Sequence, residues 1–298
     1  MNDIVIKNKN IISIRKNFYL FIAPWLIGFI LLNAIPMLIS LVMSLTKWDM
    51  ITEVEWVGLK NFIDIFTNDP LFYKSLGVTF LWASFLPIGI IFALFLANLL
   101  NRKMIGTTIF RTIVYIPVIV PAVANCLLWN WMFNIENGLL NMILNSVGLS
   151  SYTWLMSEKS VMFSLIIMSL WQVGANVVIF LAALQGVDKT LIEAAEIDGA
   201  GMYVKYFRIT LPLISPAIFF QLIMGIIGAL QVFMQGQLMT DGGPNKSTLF
   251  YILYLYRKAF EQNDMGYASG LAWILFAIIM IITIIVFKTI GKKVYYEN

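Results

Sequence analysis

Six stretches of this chain are each long and apolar enough to cross a bilayer as a helix, and none of the six contains an Asp, Glu, Lys or Arg. They cover residues 18–45, 76–100, 112–133, 161–184, 213–234 and 267–287. A hydrocarbon core about 30 Å thick takes about 20 apolar residues to span as a helix, because every backbone amide there must be satisfied within the segment. The pattern predicts an all-α membrane protein with six transmembrane helices. Too little polar sequence is left for a soluble core: 60% of the 298 residues are hydrophobic and 12% are charged, where an ordinary soluble domain carries about 25% charged residues.

The charges lie between the apolar runs, so the net charge of +4 speaks of membrane orientation and not of a nucleic-acid partner. With the N-terminus placed inside, the inner segments hold 13 of the 20 basic residues and the outer segments ten of the 16 acidic ones. Basic residues accumulate on the cytoplasmic side, so both termini are expected there: residues 1–17 as a cytoplasmic segment, 18–288 as the membrane domain, 289–298 as a cytoplasmic tail. The first apolar run is too long for a cleaved leader and has no small-residue cleavage site after it. Cys126 sits alone in an apolar run and has no disulfide partner. Histidine is absent, which removes the commonest metal ligand and the usual general base of hydrolases, so a membrane enzyme is disfavoured.

Prolines at 24, 36, 87, 117, 121 and 216 fall inside or beside the spans. Kinked packing accounts for them as well as a gating role does. Between the third and fourth spans, residues 137–144 carry apolar side chains at helical spacing after a turn, which predicts a short amphipathic helix on the outer surface with Trp154 at the interface.

The connection between the fourth and fifth spans, 188–212, is longer and better patterned than a linker. Thr190 followed by Glu193 has capping-box spacing, and Leu191, Ala194 and Ala195 put small and apolar residues on one face. Gly199 and Gly201 are expected to stop that helix, and a second short helix from Met202 to Ile209 would lead to Pro212. The product is a helix-turn-helix elbow with a small-residue tip on the inner face.

This elbow carries a resemblance. Glu193-Ala194-Ala195, then Gly199, then Ile209-Thr210-Leu211-Pro212 resembles the EAA motif of permeases in binding-protein-dependent ABC importers. Phe21 to Pro24, Ser44 to Trp48, Val57 to Phe62, Asp69-Pro70, Met239 to Pro244 and Gly266 to Ser269 extend the similarity to the first permease of carbohydrate importers of the maltose and glycerol-3-phosphate type. The resemblance implies a type I ABC importer permease fold and a non-catalytic subunit in the cell membrane of a bacterium or archaeon. It also implies partners: a second permease, most simply a different chain, two ATPase subunits and an extracytoplasmic binding protein, all within membrane lipid. In such a family the elbow docks into the ATPase, which assigns the contact to Glu193, Ala194, Ala195, Glu196, Asp198, Gly199, Leu211 and Pro212. ATP and Mg would be bound by the partner subunits and no cofactor by this chain. The stretch Gly242 to Thr248 looks superficially like a phosphate loop, but Asn245 stands where a glycine must precede the lysine.

A sugar crossing a bundle needs hydrogen-bonding groups and flat apolar surfaces near the midplane. Trp171 and Gln172 in the fourth span supply both, while Gly225, Ala229 and Val232 share a face of the fifth with Gln231 nearby. Close helix packing accounts for Gly225 and Ala229 equally well. By the resemblance these two helices carry most sugar contacts, although Gln231-Val232-Phe233 is followed by Met234 where family members often have Asp. An ion-coupled secondary carrier is the rival reading. It normally needs an ionisable residue within a span, and the six runs offer none.

Overall fold

The computed structural model describes residues 18–102 and 105–295. The segment 1–17 and the last three residues of the tail lie outside the described residues. In chain order the elements are α1 (Phe18–Met43), β1 (Thr46–Lys47), β2 (Glu55–Trp56), α2 (Lys60–Thr67), α3 (Pro70–Ser84), α4 (Leu86–Asn101), α5 (Thr107–Ile119), α6 (Ala122–Met132), α7 (Leu139–Ser146), α8 (Glu158–Trp171), α9 (Gly174–Gln185) and α10 (Lys189–Ile197). There follow α11 (Met202–Leu213), α12 (Ser215–Leu230), α13 (Tyr251–Tyr256) and α14 (Met265–Thr289).

Three continuous helical stretches are long and apolar enough to cross a membrane: Phe18–Met43, Pro70–Asn101 and Met265–Lys293. The other three apolar runs, expected as plain spans, are bent pairs. α5 and α6 meet at 103°, α8 and α9 at 47°, and α11 and α12 at 61°. Counting each bent pair as one span gives six. Two of the breaks trace to proline, which lacks an amide donor and drives the preceding residue out of the helical region. Val120 turns to ψ 124° before Pro121, and Pro212 and Pro216 flank the bend at Ile214. The break after α8 has a different cause. Gly174 sits so close to α5 that a Cβ on it would lie 2.2 Å from the Val114 carbonyl oxygen, and the chain bends at Gln172 and Val173 to bring it there.

Residues 18–68 with 258–274 form one compact unit. Its organiser is Asn61, whose side-chain amide donates to the carbonyls of Ser44 and Thr46, both at 2.9 Å. This ties α2 to the two-stranded ribbon in which Thr46 pairs with Trp56. Gly266 then packs flat on the same strand: a Cβ there would come within 1.9 Å of the Thr46 oxygen, and the neighbouring Met265 amide donates to Trp48 at 3.0 Å. Two segments that carried the family resemblance, around Asn61 and Gly266, are therefore joined through one strand.

Residues 69–257 with 275–295 form the second unit. Its core is α4 against α9: Ile90, Ala93, Ala97 and Leu100 face Val173, Val177, Phe180, Leu181 and Leu184, with Ile214 closing the cluster. Ala93 and Ala97, four residues apart and fully buried, let the two helices approach closely, which is how helices associate where lipid supplies no hydrophobic drive. Asp69 caps α3 by accepting from the Leu71 and Phe72 amides at 2.9 and 3.1 Å. The Tyr254 hydroxyl of α13 donates to its other carboxylate oxygen. The short helix expected at 137–144 is α7, and its buried Asn141 accepts from the Tyr152 amide and the Trp154 indole at 2.9 and 3.0 Å. Trp154 is thus half-buried on α7 through a specific polar contact.

Candidate translocation cavity and coupling elbow

Two helix interruptions build a cavity of about 500 Å3 in the second unit. One is the bend between α8 and α9, where Gln172 is the C-cap of α8 and its amide reaches Ser169 at 3.1 Å. The other is the end of α12, where Gln231 is the C-cap and its amide reaches Gly228 at 3.2 Å. Where a helix ends inside a bundle, side chains at the break are free of the helical ladder and turn toward the space it leaves. Of the residues expected along a substrate path, Gln172, Gly225, Ala229, Gln231 and Val232 all line this cavity. Trp171 does not. It meets Trp129 edge-on at 5.7 Å instead.

The cavity also draws on residues that the sequence reading passed over. Ser169, Asn176 and Gln235 add hydroxyl and amide groups, and Trp82 and Phe85 of the second long span add flat apolar walls. Asn176 lies four residues after Gln172, but the break between them hides that shared aspect from any helical wheel. Gly225 presses against Leu86, since a Cβ there would lie 2.5 Å from Leu86 Cδ1. Among the described residues, no Asp, Glu, Lys or Arg lines the cavity.

The elbow is built from α10, a glycine turn and α11. Asp188, not Thr190, is the N-cap: its carboxylate accepts from the Thr190 amide at 2.9 Å, so the expected capping box does not form at Thr190 and Glu193. That hydrogen bond holds the Asp188 carboxyl below the usual range. The helix ends in a Schellman closure. The Ala200 amide donates to the Ala195 carbonyl at 2.8 Å, the Gly199 amide to Glu196 at 3.0 Å, and Gly199 takes φ +79°. Gly201, expected to stop the same helix, has φ −70°; it is the extended N-cap of α11. Lys205 forms an ion pair with Glu196 across the turn. α11 is not uniform, because Tyr206–Thr210 is π-helical.

Glu193, Ala194, Glu196, Asp198 and Gly199 are exposed on this projection and Ala195 is half-buried. Beside them Ile197 is 88% exposed and Tyr203 76%. Leu211 and Pro212 are placed elsewhere: both are half-buried at the bend into α12, with Leu211 packed on the core cluster. They position the elbow and do not form its tip. Residues 241–248 close into a turn with left-handed backbone at Asp241, Gly242, Asn245 and Lys246, fastened by the Thr240 and Thr248 hydroxyls at 2.6 Å and by Arg257 on Asp241.

Broken helices around an uncharged cavity, with an ordered elbow beyond them, define a membrane permease component. Residues 86–294 match the family described as binding-protein-dependent transport system inner membrane component, and the chain belongs to that family. Over 294 residues it is 40% identical to the probable ABC transporter permease protein YesP of Bacillus subtilis (strain 168), covering 96% of this chain and 95% of that one. It is 33% identical to the arabinooligosaccharides transport system permease protein AraP of Halalkalibacterium halodurans, over 89% of this chain and 85% of the other. The fold matches a chain of the bacterial alginate ABC transporter, crystallised in complex with an alginate pentasaccharide-bound periplasmic protein. The TM-score is 0.81 at 22% identity, covering 93% of this chain and 94% of that one. The chain is therefore an ABC importer permease by family, and it shares the fold of the alginate transporter chain.

Proposed function

We propose that this chain forms half of the translocation path for an uncharged sugar or oligosaccharide in an ATP-driven importer. One observation carries the reading. The elbow is a fixed projection with an exposed apolar tip, on a chain whose cavity has no ionisable group among its described lining residues to bind a coupling ion. Ile197 and Tyr203 stand in the open beside Glu193, Ala194 and Gly199, and the Schellman closure and the Lys205–Glu196 pair fix their geometry. An ordered apolar projection of this kind suits docking to another protein.

In this reading two ATPase subunits bind ATP and Mg and receive the elbow. A second permease, a different chain, completes the path, and an extracytoplasmic binding protein delivers the solute. The elbow and both termini then lie in the cytoplasm of a bacterial or archaeal cell, beneath its inner membrane, which agrees with the basic residues on those segments. The periplasmic protein bound to the alginate transporter and the oligosaccharide named for AraP support a binding protein and a saccharide. Amide and hydroxyl groups beside Trp82 and Phe85, with no charge in the lining, favour an uncharged one, because a charged solute would leave its charge unpaired in a poorly solvated site.

Purifying the assembled importer with its binding protein and identifying the bound solute by mass spectrometry tests this. A neutral saccharide is expected. A phosphorylated or carboxylated solute as the sole ligand would overturn the assignment of charge.

A further inference from the structure

On the elbow side of the second unit, two cavities open side by side and differ in chemistry. The first, about 970 Å3, is a basic basin. Arg102 at the end of α4, Arg111 of α5 and Lys189 at the start of α10 line it. The second, about 1080 Å3, is a mostly apolar groove along α4 and α11, walled by Ile91, Leu94, Phe95, Tyr203, Phe207 and Ile218 among others and lined also by Lys293. Asn98, Asn101, Arg102 and Tyr206 line both. The rib between them is itself fixed, since the Asn98 amide donates to the Tyr206 hydroxyl at 2.9 Å. Among the described residues, no Asp or Glu lines either cavity. Arg111 is also held in place, its guanidinium donating to the Leu100 carbonyl at 3.0 Å.

Three cations lining one cavity, with no acid among its described lining residues, call for an anion, and the basin alone would accept any small one. The adjoining groove narrows the choice. An amphiphile with an anionic head and a long apolar tail matches both halves at once, its head and tail meeting at the residues that line both cavities. The geometry points to a binding site for an anionic phospholipid, with its phosphate in the basin at Arg102, Arg111 and Lys189 and an acyl chain along α4 and α11. Basic pockets between membrane helices hold lipid phosphates by this combination of Coulomb attraction and apolar contact. The site rests only on the chain being membrane-embedded, which its family establishes, and not on the solute it carries. Because Lys189 opens α10 and Tyr206 and Tyr203 belong to α11, such a lipid would brace the base of the elbow.

Native mass spectrometry of the full chain in mild detergent tests this, titrating phosphatidylglycerol against phosphatidylcholine with the same acyl chains, and separately inorganic phosphate. Wild type is expected to retain one phosphatidylglycerol in preference to phosphatidylcholine. The double variant Arg102→Gln with Lys189→Gln should weaken phosphatidylglycerol on the order of twentyfold, about fivefold for each cation removed, and leave phosphatidylcholine unchanged. Ile91→Trp, at an exposed groove position, should weaken it with the basin intact. Equal retention of the two lipids, or phosphatidylglycerol binding indifferent to both variants, would overturn the site. So would inorganic phosphate binding that depends on Arg102 and Lys189 while the lipid does not, which would make the basin a free-anion site. Loss of the lipid on assembly with the second permease would equally overturn it, by giving the groove to that protein.

Discussion

Gly199 and Gly201 stand two residues apart and have different work. Gly199 is left-handed at φ +79° with open space around its missing side chain, so a substitution there suffers from backbone conformation and not from collision. An L-residue in that region costs about 1–2 kcal/mol, and Asn tolerates it better than most. Gly199→Leu is therefore expected to reach the membrane but to lose association with its ATPase, Gly199→Asn to keep most of it, and Gly201→Ala to keep all of it. Co-purification with the ATPase subunits measures the three, and equal recovery of wild type and Gly199→Leu would count against the elbow's role. The stop at Gly199 was legible because glycine supplies a conformation other residues avoid. The cap was misread because Thr190 and Glu193 meet the spacing by chance, whereas the capping residue is whichever one leaves the helix: Asp188, at ψ 123°. Its lowered pKa means the cap is fully present above the ordinary carboxylate pKa. It is lost only as pH falls through the lowered value, so the elbow's start does not titrate near neutrality.

At the scale of elements, the apolar runs located the helices well because hydropathy depends on content. The same measure is blind to direction, and three of the runs are bent. Prolines 121 and 216 stand at two of the bends, but proline inside a membrane helix is equally compatible with a mild kink, so they did not single these bends out. The third bend had no local signal, since it follows from Gly174 touching the backbone of α5, a contact between residues far apart in sequence. Two glycines separate the roles. Gly174→Ala drives a Cβ into the Val114 carbonyl at 2.2 Å, where backbone must yield, and is expected to destabilise the chain by about 1–3 kcal/mol, the usual penalty of overpacking. Gly225→Ala meets only the methyl end of Leu86, which can rotate. It should leave thermal stability nearly unchanged while narrowing the cavity and lowering transport. A thermal-shift assay beside an uptake assay reads both, and a reversed pattern would mean Gly225 is a packing residue and not part of the path.

For the whole molecule, the division of labour follows from what the cavity and the elbow each offer. The cavity offers amides, a hydroxyl and aromatic walls but no charge to couple to an ion. The elbow offers a fixed apolar tip. Family membership over residues 86–294 and a fold shared with the alginate transporter place both parts in an importer permease. The central claim is that force arrives through the elbow from nucleotide hydrolysis on other chains. The most direct measurement is solute uptake into proteoliposomes holding the complete importer and its binding protein, with ATP supplied and ion gradients collapsed by ionophores. Uptake should track ATP hydrolysis, survive the ionophores and vanish in Gly199→Leu. Uptake by vesicles that contain no ATPase subunit, driven by a proton or sodium gradient, would contradict the account.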